Sequence, residues 1–229
     1  MVACAADPES SAPPPSVAPT ALATSGNPFR TGRTLVIPHA GGDALFPENT
    51  LYAYERSMAM GGDVIDMDVS MSADGMLVAF HDATLKRTTN GTGRVDAMTY
   101  DELAELDAGW GFTRGGVHPF RGMDIRIPTV EAVLQRFPST LVTLDLKDRR
   151  VAVVAPVCTL LKSLGRTVDV YVGSDSDAQV IEFRETCPEV RTSGTDVERR
   201  AMRAARDAGD LAFVTHQLVS QPRYRGADG

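Results

Sequence analysis

From Arg33 onward, apolar runs of strand length alternate with segments of helical periodicity, and this alternation constrains the fold more than any other feature of the chain. Thr34–His39 reads as a strand ending at Gly41-Gly42. Thr50–Met60 reads as a helix with Leu51, Tyr54 and Met58 on one face. Asp63–Met71 and Met76–His81 read as strands joined at the turn signal Asp74-Gly75. Thr99 and Glu102 make a capping box for a short helix, and Pro128-Thr129 opens another that reaches Arg136. Strands at Leu141–Lys147, Val168–Gly173, Val190–Gly194 and Leu211–Val219 then alternate with helices at Val151–Leu164, Asp175–Thr186 and Asp196–Ala208. A β/α series of this kind predicts an α/β fold, either a parallel barrel or a doubly wound sheet. An eight-stranded barrel needs roughly 250 residues, and about 200 follow the N-terminal tail. One or two terminal β/α units are therefore expected to be missing.

Residues 1–28 differ in kind. Ala5 to Gly26 is rich in Ala, Pro and Ser without periodicity, which predicts a disordered tether ahead of a folded unit at 29–229. Val2-Ala3-Cys4 resembles the processed end of a bacterial lipoprotein, which would tether a secreted or cell-envelope protein to a membrane through Cys4. An ordinary free cysteine in the tail of a cytoplasmic protein fits the same residues. Cys158 and Cys187 fall in separate expected helices and read as reduced packing residues. The net charge of −7 argues against a nucleic-acid partner. The arginines between Glu198 and Arg203 read as the solvated face of a helix.

Two strands carry charge where a barrel interior should be apolar. In Val64–Val69, Ile65, Met67 and Val69 face one way and Asp66 and Asp68 the other. In Leu141–Lys147, Val142, Leu144 and Leu146 oppose Thr143, Asp145 and Lys147. Burying unpaired charge is costly, so charge on interior strands points to a site, with a structural Asp–Lys ion pair as the alternative. A hairpin centred on Asp74-Gly75 would put His81 opposite Asp68, and His39 ends the first strand at the same mouth. Two histidines converging on carboxylates suit a general acid/base pair. Asn49 or Thr50 can cap the helix after Pro47-Glu48, leaving Glu48 free to turn toward the strand ends. Ligation by Glu48, Asp66, Asp68 and Asp145 would suit Ca²⁺ or Mg²⁺ rather than zinc. His118 and His216 lack such company.

The segments HAGG, PENT, DMDV, ADGMLVAFHD, LKRTTNGTG, TYDELAELDAG, RIPTVEAVL and LDLKD occur in the order and spacing of the glycerophosphodiester phosphodiesterases. The resemblance covers about residues 34–195. It implies a TIM-type (β/α) barrel of the phospholipase-C-like kind, incomplete at its C-terminus, with a small insertion at about 83–126. It implies hydrolysis of a small-molecule glycerophosphodiester to an alcohol and glycerol 3-phosphate. By this resemblance His39 and His81 are the acid/base pair, Glu48, Asp66, Asp68 and Asp145 hold one divalent cation, and Lys147 contacts the phosphate. Three features depart from the family pattern. Ala40 stands where an arginine is usual, and Asp66 and Asp145 stand where glutamates are usual. By this resemblance the final strands, one bearing a tryptophan at the substrate pocket, are expected to be missing, and Trp110 does not replace that tryptophan by position. A truncated non-catalytic remnant, and a phosphodiesterase acting on lysophospholipid or sphingomyelin-type diesters, are the competing readings.

Overall fold

The structure, a computed structural model, describes residues 27–29, 31–148 and 150–210. Cys4, nearly all of the expected tether, the expected strand Leu211–Val219 and His216 lie outside the described residues. Five strands form one sheet: β1 Val64–Met71, β2 Leu77–Ala79, β3 Leu141–Leu146, β4 Val170–Ser174 and β5 Arg191–Thr192. Their order is β2-β1-β3-β4-β5, with β1, β3, β4 and β5 parallel and β2 antiparallel on the edge of β1. The helices are α1 Leu51–Ala59, α2 Tyr100–Ala104, α3 Val130–Arg136, α4 Val154–Ser163, α5 Asp177–Thr186 and α6 Asp196–Asp207. This is the β/α order of a TIM-type barrel. Among the described residues the sheet does not close, in keeping with the expected incomplete barrel.

The period-2 pattern of the strands builds the core. Ile65, Met67 and Val69 of β1 are fully buried, as are Val142, Leu144 and Leu146 of β3 to within a few per cent. They pack with Val133 and Leu134 of α3, Val157 and Leu161 of α4 and Phe183 of α5. The helices start where side-chain oxygens can accept the first free N–H groups. Thr50, Thr129 and Ser176 cap α1, α3 and α5, and the expected Thr99–Glu102 box opens α2. A second box, Thr195–Glu198, opens α6, whose arginine-rich face has no buried residue.

Three expectations are corrected. Residues 34–38 are extended but form no ladder: the Val36 carbonyl accepts from the Asp63 and Val64 N–H groups at 2.8 and 3.3 Å, and its N–H donates to the Asp63 carboxylate at 2.8 Å. Pro38 offers no N–H to continue the pairing. The β1–β2 register is shifted by one residue from the expected one. Ser72 N–H bonds Met76 at 2.9 Å, so the loop is Ala73-Asp74-Gly75, with Gly75 left-handed at φ 84°. Phe80, not His81, therefore faces Asp68 and donates to its carbonyl at 3.0 Å. Cys158 and Cys187 are joined as a disulfide with Cα atoms 5.7 Å apart. Helices α4 and α5 pack side by side and bring together residues 29 apart in sequence, which spacing alone does not reveal.

The segment between β2 and α3 makes its own small core from Leu85, Val95, Leu103, Ile125 and Ile127, together with Val78 and Phe80. An aromatic ladder ties it to α1. Phe46, Tyr52, Phe120 and Phe112 stack edge to face at centroid distances of 6.1, 5.4 and 4.9 Å. Gly111 seals the join. A Cβ there would fall 1.9 Å from the Arg87 carbonyl oxygen, so only glycine lets this loop lie against the site.

Candidate active site

Strand register sets the centre of the site. Asp68 and Asp145 are Cα partners on the parallel strands β1 and β3, as are Asp66 and Thr143. The Lys147 ammonium lies 2.6 Å from Asp145 Oδ2 and 3.4 Å from Asp68 Oδ1. Burial alone would lower its pKa, but Asp145 and Asp68 outweigh burial and hold it above the usual lysine value. The Asp68 side chain is only 8% exposed. Burial raises its pKa, against the opposing pull of Asn49 and Lys147.

Asn49 secures Asp68. Its Nδ2 donates to Asp68 Oδ2 at 2.7 Å, and its Oδ1 accepts from the Asp68 backbone N–H at 2.9 Å and from Tyr54 hydroxyl at 3.0 Å. Asn49 sits at φ 55°, a left-handed conformation that asparagine tolerates better than most residues. Thr50 therefore does the capping, and Asn49 serves the site. Asp66 accepts from Thr143 hydroxyl at 2.6 Å and from the Ala40 N–H at 3.2 Å. Ala40, itself at φ 47°, thus uses its backbone where its side chain has no polar group to offer.

Both histidines open to solvent at the rim, and each has a carboxylate on Nδ1. His39 Nδ1 lies 3.1 Å from Asp43 Oδ2, and His81 Nδ1 lies 2.7 Å from Asp82 Oδ1. Burial pulls the His39 pKa down, but the Asp43 bond and the charges of Asp43, Asp66 and Asp68 prevail and raise it. His81 directly follows Phe80, whose N–H donates to the Asp68 carbonyl at 3.0 Å. The two imidazoles thus flank one acidic cluster. Asp43 and Asp82 were not singled out from sequence, although each lies within four residues of its histidine.

Glu48 is engaged elsewhere. Both its oxygens accept from Arg87 Nη1 and Nη2 at 2.6 Å, while Arg87 Nε and Nη2 also donate to Asp82 at 2.6 and 2.9 Å. Hydrogen bonds to Glu48 and then Asp82 raise the arginine pKa, and Arg87 lowers that of Asp82. His81, Asp82, Arg87 and Glu48 therefore form one continuous polar chain. His118 binds the Phe112 carbonyl at 2.9 Å and stands apart from this cluster.

Residues 39–195 match the Glycerophosphoryl diester phosphodiesterase family, a span that contains every side chain of this site. The chain belongs to that family. YhdW of Bacillus subtilis (strain 168) is 32% identical over 195 residues, 81% of this chain and 78% of the relative. A glycerophosphodiester phosphodiesterase of the same organism is 37% identical over 125 residues, 53% of this chain and 42% of that protein. The chain thus spans less than half the length of this second relative. The crystal structure of a glycerophosphodiester phosphodiesterase from Agrobacterium tumefaciens str. C58 superposes with a TM-score of 0.63 at 34% identity. It covers 71% of this chain and 67% of that one.

The donor set of this phosphodiesterase-family chain has the chemistry of a hard-cation site: carboxylates only, on neighbouring strands, with no soft ligand among them. Burial works against a charged Asp68 and raises its pKa, a cost that an added cation would relieve. In this side-chain arrangement the carboxylates face Lys147, Thr143, Ala40 and Arg87 instead of converging on one point. Among the described residues, the group of such ligands that does lie within 4.8 Å is Cys158, Cys187 and Glu189. Its two sulfurs are already bonded to each other.

Proposed function

We propose that this protein hydrolyses glycerophosphodiesters to an alcohol and glycerol 3-phosphate, with His39 and His81 as the acid/base pair. The observation that carries this reading is the flanking of the Asp68–Asp145–Lys147 cluster by two histidines, each with a carboxylate on Nδ1. That partner directs the Nδ1 proton toward the carboxylate and leaves Nε2 free to exchange a proton with substrate. His81 removes a proton from the attacking oxygen, either water or the neighbouring glycerol hydroxyl. His39, whose pKa is raised, donates its proton to the departing alcohol oxygen. If the glycerol hydroxyl attacks, water then opens the cyclic phosphate with the two histidines in reversed roles. Lys147 stands where it can meet a phosphate oxygen as negative charge grows on it.

A divalent cation, Ca²⁺ or Mg²⁺, would be held by Asp66, Asp68 and Asp145, joined by Glu48 once it releases Arg87. When bound it supplies neutralisation of the phosphate charge. Aspartates at positions 66 and 145 give shorter arms than glutamate, which favours a cation retaining more of its water. The test is replacement of each histidine by alanine with the fold checked by circular dichroism. His39→Ala and His81→Ala are each expected to lose turnover of glycerophosphocholine by at least about 100-fold. Near-normal turnover in either removes that residue from the pair.

A further inference from the structure

The segment between Asp107 and Asp124 departs from the rest of the chain in its charge and in what it exposes. The whole chain carries −7, yet positions 108–123 hold Arg114, Arg121 and His118 and no acidic residue. Neither arginine side chain meets a carboxylate among the described residues. Three large apolar side chains open to solvent in the same stretch: Trp110, Val117 and Met123, at 41, 62 and 50% exposure. Residues 113–119 are all exposed and turn at Gly115-Gly116, where the Arg114 and Val117 backbones exchange N–H bonds at 3.0 and 3.2 Å. Polar contacts hold this projection in shape. Asp107 accepts from the Gly109 N–H on Oδ1 and from the Gly122 N–H on Oδ2, each at 2.8 Å. Arg121 Nε donates to the Trp110 carbonyl at 2.8 Å, and its guanidinium carbon lies 4.3 Å from the centre of the Trp110 ring.

We propose that this loop docks the protein on an anionic lipid surface. Exposed apolar groups gathered in one segment and bordered by polar residues mark an interaction surface, whereas scattered ones do not. Tryptophan favours the boundary between water and hydrocarbon, where its ring is covered and its N–H stays wet. Arginine lays its stem on apolar surface and keeps its guanidinium at the level of lipid phosphates. Two arginines without an acidic neighbour complement the negative charge of such a surface. At about 0.1 M salt, charges more than about 10 Å away are screened, so the acidic remainder of the chain does not cancel this local attraction. The loop also adjoins the candidate site, since the Gly111 N–H donates to the Thr88 carbonyl, next to Arg87, at 3.0 Å. Docking through it therefore brings the site to the lipid surface. The proposal does not depend on which diester is hydrolysed.

Trp110 is the one tryptophan of the chain, so its fluorescence reports this loop alone. The full chain, with Cys4→Ser to exclude acylation, is mixed with vesicles of phosphatidylglycerol or of phosphatidylcholine at about 0.1 M salt. Phosphatidylglycerol vesicles are expected to sediment the protein and to shift Trp110 emission to shorter wavelength. Phosphatidylcholine vesicles are expected to bind at least about 10-fold more weakly. Arg114→Gln with Arg121→Gln is expected to weaken binding to phosphatidylglycerol by at least about 10-fold, each arginine contributing about 5-fold. Val117→Ser with Met123→Ser is expected to weaken binding and shrink the emission shift, and it covers the case in which the arginine variant fails to fold. No binding to phosphatidylglycerol, equal binding to both lipids, binding with unchanged Trp110 emission, or binding that survives both double substitutions overturns the proposal. So does an emission shift that grows with protein concentration in the absence of vesicles, which would assign the loop to contact between copies of the chain.

Discussion

Asn49 grips Asp68 at both ends, its Nδ2 on the carboxylate at 2.7 Å and its Oδ1 on the backbone N–H at 2.9 Å. The grip fixes the most buried acidic side chain of the site and spends an asparagine on a left-handed backbone position to do so. Asn49→Gly keeps that backbone comfortable and removes the grip. The variant is expected to lose about 1–3 kcal/mol of stability, read from urea unfolding, because buried donors and acceptors go unpaired. Turnover is expected to fall by at least about 10-fold as Asp68 loses its fixed position. Unchanged turnover would show that Asp68 needs no such support.

Asp68 itself should trade stability for function. Burial raises its folded pKa above the unfolded value, so its contribution to stability is greatest below the unfolded carboxylate pKa and is lost as pH rises through the folded pKa. At neutral pH, Asp68→Asn removes that cost and keeps an acceptor for Asn49. The expected result is a Tm equal to or a few degrees above wild type, with cation affinity weakened by about 10-fold or more. A lower Tm with unchanged cation affinity would reverse the assignment.

The pH dependence of turnover should report His39. As the proton donor it must be charged, so it governs the alkaline limb of kcat/KM, which lies above the ordinary histidine value because the pKa of His39 is raised. Removing the carboxylate in Asp43→Asn should shift that limb to lower pH. The sign for stability is the same. The His39–Asp43 pair helps most below the unfolded histidine pKa and fades as pH rises through the folded one. Both groups are well exposed, so that part is expected to be under about 1 kcal/mol. An alkaline limb unmoved by Asp43→Asn would remove His39 from the donor role.

The Cys158–Cys187 link should appear in thermal unfolding. It joins α4 to the end of α5 on the same half of the sheet as β4 and β5. Reduction, or Cys158→Ser with Cys187→Ser, is expected to cost about 2–4 kcal/mol and to lower Tm measurably. An identical Tm with and without reductant would show that packing alone secures this half.

Much of this architecture was legible because strands and helices advertise themselves by period. Alternation exposed Asp66, Asp68, Asp145 and Lys147 as charges on strands that had to be interior, and Thr99 with Glu102 announced a helix start. What escaped depends on tertiary approach. Asn49 read as a cap because its inward turn comes from a left-handed backbone, not from its residue type. Arg87 carries no local signal of a role, yet it holds both Glu48 and Asp82 across 39 and 5 residues of sequence. The hairpin register slipped by one because Gly75 supports a three-residue loop where a two-residue turn was expected. The cysteine pair was invisible for the same reason as Arg87, since nothing local at Cys158 points to Cys187.

The most direct test of the account is release of glycerol 3-phosphate from glycerophosphocholine by the full chain, with Mg²⁺ or Ca²⁺ against chelator, and with His39→Ala as the blank. The account predicts turnover that disappears with chelator, returns with added cation and is absent from the folded His39→Ala protein. Turnover indifferent to chelator, or retained in His39→Ala, would contradict it.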